Sequence, residues 1–359
     1  MNQPLYLPNE LIIQILLRLP VKSLIRFKRV CKSWFSIISD THFANSHFEL
    51  TAATQTHRTL LLATLTPHET IELSVDDDDS VYALLNPPNF LPSKPNSCIG
   101  IKGSCRGFIL FYCFSSRYLY LWNPSTGLHK QIPLSFNSDI FEENFYGFGY
   151  DQSTDDYLVV SGTSSSLWEF FSFRANKWKQ IDDDGNNIHY WNATGDCRQG
   201  GSLFNGAIHW LAYCPDLENH VIVAFDLMKR KLFYMNFPDE FEHQLNHCGL
   251  WVFREFLSIW TWNYDNDVEI WVMKEYKVHS SWTKTHVLPI DAIPTKDFYP
   301  LTSTKSGDIV GIDYHTGLLK YNDEGQLLGH SSYCNNQYGL QVAMYTESLL
   351  SLPGDNVQA

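Results

Sequence analysis

The residues best suited to chemistry stand close together in "EHQLNHC", where His243, His247 and Cys248 combine two imidazoles four residues apart with a thiol. These are zinc-ligand types, but a zinc site needs three or four donors, and neither an HExxH glutamate nor a second cysteine pair accompanies them. The group therefore reads as a loop pair of histidines beside a structural cysteine. "GSCRG", from Gly103, lies between strand-like stretches rather than opening a helix, so it does not read as a phosphate cradle. No GxSxG elbow is present. Carboxylates are scattered, and "VDDDDS" at Asp76 to Asp79 reads as a solvated loop. Nothing fixes the separation between two carboxylates that glycoside hydrolysis requires. The expectation is a protein with no catalytic residue, no metal and no cofactor, so recognition rather than turnover has to be sought.

Composition narrows the scaffold that could do this. The chain has 359 residues, 44% of them hydrophobic and 15% aromatic, with only 18% charged, a balance that favours aromatic-rich β structure over coiled coil or disorder. Its net charge is -13, yet residues 1–40 carry six basic side chains against Glu10 and Asp40, about +4, leaving about -17 for the rest. An acidic body argues against nucleic acid as the partner, because binding to phosphates relies on Lys and Arg displacing counterions. Eight cysteines without paired CxxC spacing read as reduced thiols. No uninterrupted apolar run is long enough for a bilayer, and Glu10, Gln14 and Arg18 break up the apolar N-terminus. The expected location is the cytoplasm, the nucleus or both, without membrane attachment, and under that reading the "NAT" sequon at Asn192 stays unglycosylated.

The basic N-terminal stretch is helical in pattern. Pro8 opens a run with Leu11, Ile12, Ile15, Leu16 and Leu19 at helical spacing, and Pro20 ends it. "VKSLIRF" supplies a second short helix, and Val30, Cys31, Trp34, Phe35 and Ile38 a third. A unit of about 40 residues is marginal alone and needs something to pack against. One reading is a cap on the following domain. The spacing "LPxELxxxILxRLPVKSLxRFxxVCKSW", however, resembles the plant F-box motif. That resemblance implies binding to a Skp-type adaptor and, through it, to a cullin-based ubiquitin ligase, carried by Leu7, Pro8, Leu11, Ile15, Leu16, Leu19, Pro20 and Leu24. Cys31 and Trp34 are expected to hold the helices together, with Cys31 as a small buried hydrophobe.

Beyond a transitional segment the chain repeats. Gly107, Asp156, Gly206, Glu255 and Gly307 mark tight polar turns followed by apolar strands, at separations of 49, 50, 49 and 52 residues. Trp122, Phe173, Phe225, Trp271 and Tyr321 mark a second element at separations of 51, 52, 46 and 50. Two interleaved series with one period point to a repeated four-stranded unit, the blade of a kelch-like β-propeller. Five blades are visible, and a sixth can be assembled from "RTLLLATL", "TIELSVD" and the closing strand "QYGLQVAMYTESLLSL". The expected fold is an all-β propeller of six blades, with five or seven as alternatives, preceded by a small three-helix unit. The expected divisions are residues 1–45 (helical), 46–58 (connecting), 59–352 (propeller) and 353–359 (tail).

"CRGFI", "WNPSTG", "GFGYDQSTDDYLVV" and "GAIHWL" resemble the F-box-associated domain of plant F-box proteins, with Leu158 where that pattern often has Lys. Together the two resemblances imply a substrate-recognition subunit of an SCF-type ligase that holds a protein substrate on its propeller. The long connections carry the expected anchors: Arg117, Tyr118, Trp168, Tyr190, Trp191, Tyr213, Trp262 and Tyr264. Asp182, Asp183, Asp184, Asp216, Glu218, Asp265 and Asp267 would favour a basic partner. Against these stand the ordinary role of aromatics as wedges between blades, a scaffold that binds without ubiquitination, and a propeller enzyme acting on a sugar or small molecule.

Overall fold

The computed structural model describes residues 7–54, 58–63, 72–74, 81–85, 99–113, 116–133, 135, 145–163, 167–181, 189–192, 200–241, 248–263, 267–290, 293, 298–304, 306–313, 317–332 and 341–354. Among them no helix is long and apolar enough to cross a membrane.

Four helices come first: α1 (Asn9–Leu16), α2 (Val21–Phe27), α3 (Lys32–Ser39) and α4 (Thr41–Thr54). Pro8 and Pro20 each take the N-cap position in extended backbone, where a missing N–H costs nothing. Cys31 caps α3 by accepting the Trp34 N–H at its sulfur, 3.4 Å away. It is exposed, not the buried hydrophobe that its place in the apolar pattern suggested, because a side chain at an N-cap folds back over the first turn. Trp34 does pack within the unit, edge-on to Phe27 with ring centroids 5.2 Å apart. α4 runs through much of what reads in sequence as a connecting segment. Asp40 caps it through the Phe43 N–H, and its buried face is Phe43, Ala44, His47 and Phe48.

The strands of the remainder are β1 (Arg58–Ala63), β2 (Glu72–Ser74), β3 (Val81–Leu85), β4 (Ile99–Cys105), β5 (Phe108–Cys113), β6 (Tyr118–Trp122) and β7 (His129–Ile132). The second meander is β8 (Phe145–Asp151), β9 (Asp156–Gly162), β10 (Trp168–Ser172) and β11 (Lys177–Gln180). The third joins β12 (Trp191–Asn192) and β13 (Ser202–Phe204), both paired to β14 (Ala207–Cys214), with β15 (Asn219–Asp226) and β16 (Lys231–Asn236). β17 (Cys248–Phe253), β18 (Phe256–Trp262), β19 (Asp267–Met273) and β20 (Trp282–Pro289) make the fourth. β21 (Tyr299–Ser303), β22 (Ile309–Asp313), β23 (Gly317–Tyr321) and β24 (Leu327–Ser332) make the fifth, and β25 (Gln341–Thr346) comes last.

Each of the five meanders from β4 to β24 is an antiparallel sheet in chain order, which defines a β-propeller blade. A further sheet has the order β2-β3-β1-β25, with β1 antiparallel to β25 and parallel to β3, so that the two ends of the strand region share one sheet. Two-residue turns start the blades. Arg106-Gly107 and Asn205-Gly206 have positive φ at both residues, and Arg254-Glu255 takes the same conformation without a glycine. The leading strands meet around the axis, β4 against β8, β13 against β17, β17 against β21, and β25 against β4. They enclose a cavity of about 450 Å³ lined by Ser104, Phe148, Ser202, Val252, Thr302 and Met344 among others.

Between blades the space is filled by aromatic wedges. Trp168 stacks on Phe145 at 5.1 Å and tilts against Trp210 at 5.4 Å, while the Trp210 indole N–H donates to the Tyr146 carbonyl at 2.8 Å. The contact is this close because Gly147 leaves room: a Cβ there would lie 2.5 Å from Ile208 and 2.7 Å from Trp210.

Candidate functional site

Antiparallel meanders place their first and third turns at one end of the ring and their longer connections at the other. The helices occupy the short-turn end. Their buried side chains, Leu16, Val21, Leu24, Ile38, Phe43 and Phe48, belong to one apolar cluster with Phe108, Leu110, Phe148 and Tyr157 of the blades and with Leu349, Leu350 and Leu352 beyond β25.

The residues expected to bind an adaptor divide on this frame. Leu7, Leu11 and Ile15 are 57%, 51% and 52% exposed, and Pro8 and Pro20 are exposed beside them. Leu19 is half-buried against the cluster. Leu16 and Leu24, at 1% and 0%, sit inside it and present nothing to a partner in this arrangement. Val30 and Phe35, also exposed, extend the apolar surface. Helices of two turns define a face too loosely for the sequence to separate these groups.

The expected substrate anchors divide as well. Trp168 and Tyr190 are buried and edge-on to each other as inter-blade wedges, not loop anchors. Trp262 is half-buried; it donates its indole N–H to the Phe298 carbonyl at 3.3 Å and tilts against Tyr299. Arg117 is an exposed turn residue with φ of +59°, and Tyr118 next to it is exposed. Tyr264 lies outside the described residues, as do Asp76 to Asp79, Asp182 to Asp184, Asp265, His243 and His247.

What the long-loop end does bring together is Trp191 and Tyr213, paired across β12 and β14 with ring centroids 5.8 Å apart. His220 packs edge-on to Tyr213 at 5.1 Å, and burial lowers its pKa. Asp216 accepts the His189 backbone N–H at 2.6 Å, and this bond holds its carboxyl below the ordinary range. Leu217 and Glu218 complete an exposed rim. The patch offers aromatic faces next to carboxylates, a combination suited to guanidinium or ammonium groups.

Among the described residues no arrangement for bond making emerges. Cys248 is buried and donates to the Thr261 hydroxyl at 3.0 Å, and burial pushes its thiol up to about 12, so it serves packing. Among the described residues no group of three His, Cys, Asp or Glu side chains could hold a metal ion. His209, the histidine of "GAIHWL", is fully buried. Its Nδ1 donates to the Ser202 carbonyl at 3.1 Å, leaving Nε2 to accept from the Tyr276 hydroxyl at 2.8 Å, so it ties adjacent strands and blades together.

A ring of antiparallel blades with a helical module seated on its short-turn end defines a β-propeller protein with an N-terminal helical module. The F-box associated beta propeller domain profile matches residues 61–313, and an F-box-like profile matches residues 5–49. The chain belongs to the F-box associated beta propeller family and carries an F-box-like region ahead of the propeller. It is similar to an F-box/kelch-repeat protein of Arabidopsis thaliana, 29% identical over 349 residues that cover 90% of this chain and 89% of that one. To the F-box protein CPR1 of the same plant it is 29% identical over 312 residues, covering 77% and 72%. Among solved structures, a chain of a nidogen/laminin complex aligns over 80% of this chain and 98% of its own length at 12% identity, with a TM-score of 0.47. A likeness at that level carries nothing about function.

Proposed function

We propose that this chain is the substrate-recognition subunit of an SCF-type ubiquitin ligase, binding a Skp-type adaptor through its helices and a protein substrate through the long-loop end of its propeller. The observation that carries this reading is the exposed apolar strip of Leu7, Leu11 and Ile15 on a module whose Leu16, Val21, Leu24 and Ile38 are buried against the propeller. Burying side chains of that size stabilises a complex by roughly 1.5–3 kcal/mol each. The basic residues of α2 and α3 would speed encounter with an acidic adaptor. Cullin would join through the adaptor, and catalysis would be proximity, with the transfer chemistry held by other subunits. The sheet of β1, β2, β3 and β25 would count as a sixth blade of a kelch-like ring. The cytoplasm, the nucleus or both would be its compartment.

The test is co-purification with a Skp-type adaptor. Leu11→Asp and Ile15→Asp should leave the fold intact and abolish a micromolar complex, because each sets an unpaired carboxylate into a dry interface. Wild-type protein that captures no adaptor, or surface variants that bind as well as wild type, would overturn the reading. A non-degradative scaffold would bind the adaptor without transferring ubiquitin to the held protein.

A further inference from the structure

The chain does not leave the ring after β25. Residues 347–352 cross the turns of the first blade and enter the apolar cluster beneath the helices. Ser348 is completely buried, and so is Asn123 of the "WNPSTG" turn. The Asn123 Nδ2 donates to the Ser348 carbonyl at 3.2 Å, to its hydroxyl at 3.1 Å and to the Leu350 carbonyl at 3.3 Å. Its Oδ1 accepts the Ser125 N–H at 3.0 Å, so the amide is used at both ends and a carboxylate could not replace it.

The Ser348 hydroxyl donates in turn to the Arg106 carbonyl at 3.3 Å. It also lies over Gly107, where a Cβ would fall 2.0 Å from that oxygen. On its other side the same turn reaches the helices. The Arg106 guanidinium donates to Glu49 and Asn45 of α4, at 2.8 Å each. It is also sandwiched between the rings of Phe48, 4.7 Å away, and Tyr150, 4.3 Å away. One two-residue turn therefore touches the end of the chain through its backbone and the helical module through its side chain. Leu349, Leu350 and Leu352 share the buried cluster with Leu16, Leu24 and Ile38.

We infer that residues 347–352 are a latch: seated in the groove formed by Gly107 and Asn123, they lock the helical module to the propeller, and Arg106 and Asn123 are positioning residues that set its orientation. The consequence for ubiquitin transfer rests on the proposed function; the latch itself does not. In the ligase the latch would fix the distance between the exposed strip of α1 and a protein held at the opposite end of the ring.

Hydrogen exchange on the full chain tests the latch directly. Asn123→Ala and Arg106→Ala should each raise exchange in α1–α4 and in β25 together, by about tenfold or more, while the amides of β14, β15, β18 and β19 keep wild-type protection. Arg106→Lys, which keeps the ion pair with Glu49 but loses the planar sandwich, should fall between Arg106→Ala and wild type. Helices that stay protected in both alanine variants overturn the inference. So does exchange that rises in the helices without rising in β25. Should Asn123→Ala unfold the whole ring, Arg106→Ala decides by the same criteria. In a reconstituted ligase, Arg106→Ala should bind the adaptor as wild type does yet transfer ubiquitin more slowly. If no adaptor binds even the wild type, the proposed function fails while the exchange result stands.

Discussion

The apolar strip left exposed on the helical module contrasts with the large aromatics buried between the blades. In the helical module, Leu7, Leu11, Ile15, Val30 and Phe35 are exposed. In the blades, Trp168, Tyr190, Trp210, Trp251, Trp260 and Trp271 are all buried. Size accounts for part of the difference, since a module of four short helices has too little interior for its apolar residues even after it borrows the surface of the propeller. Blade geometry accounts for the rest: leading strands converge on an axis and leave wedge-shaped gaps that only broad, flat side chains fill. Exposed apolar surface on the module is therefore the candidate site, while a buried aromatic in the ring is a structural part.

Trp168 gives this comparison its largest expected effect. Trp168→Ala removes a ring packed on Phe145, Tyr190 and Trp210 between two blades, and should cost about 3–5 kcal/mol in denaturant unfolding. A loss below about 1 kcal/mol would show that the wedges are not what holds the blades together.

Buried His209 supplies the next. Desolvation lowers its pKa from 6.5 to about 4. The unfolded chain then binds a proton that the folded chain refuses between those values, so stability is complete above about pH 6.5 and is lost as pH falls toward 4, by about 3 kcal/mol in full. Asp151, Asp308 and Asp323 have lowered values too, but their contribution disappears only below the ordinary carboxylate range. Melting temperatures taken from pH 7 down to pH 5 isolate the histidine, and His209→Gln should flatten most of that slope. An unchanged slope would assign the effect to other groups, His220 first among them.

A smaller contrast separates the inside of the ring from its rim. At Gly249 a Cβ would lie 2.4 Å from the Trp260 indole nitrogen, whereas at Gly329, on the outer strand β24, it would meet nothing within 4 Å. Gly249→Ala should destabilise by about 1–3 kcal/mol, and Gly329→Ala should leave the melting temperature unchanged or raise it.

Much of this architecture is legible in the sequence, for a local reason. Gly107, Gly206, Glu255 and Gly307 fall in the first turns of blades, Trp122 and Tyr321 close third strands and Trp271 lies within one, so the repeat is written in turn chemistry and in short apolar runs buried on both faces. Contacts made by distant parts are not written there. α4 carries His, Thr, Ser and Asn and reads as a linker, because its buried face is completed by the propeller and by the Leu19 carbonyl, which lies 2.8 Å from the His47 ring. The parallel pairing of β1 with β3 has no local signature. Nor does sequence say that Trp168 turns inward. The space it fills is left by Gly162, where a Cβ would overlap the indole at 2.5 Å, and that glycine is told apart from any other only by its neighbours in space.

Trp191 breaks the rule for the ring and so tests it most sharply. It is 51% exposed, packs against Tyr213, and sits at the end of the ring away from the helices. If exposure marks a site here as proposed for α1, Trp191→Ala should change stability by no more than about 0.5 kcal/mol, because little surface is returned to water. The same substitution should weaken the hold on the substrate protein by tenfold or more, about 1.4 kcal/mol or above, the weight an aromatic anchor carries. Asp216→Asn, which removes the charge beside it, should act mainly on the association rate and should lose its effect at high salt. Pull-down of substrate with both variants, set against their melting temperatures, reads the two quantities apart. A Trp191→Ala protein that melts several degrees lower would make Trp191 a wedge that happens to be half uncovered, and would return the search for the substrate site to Arg117 and Tyr118 on the first blade.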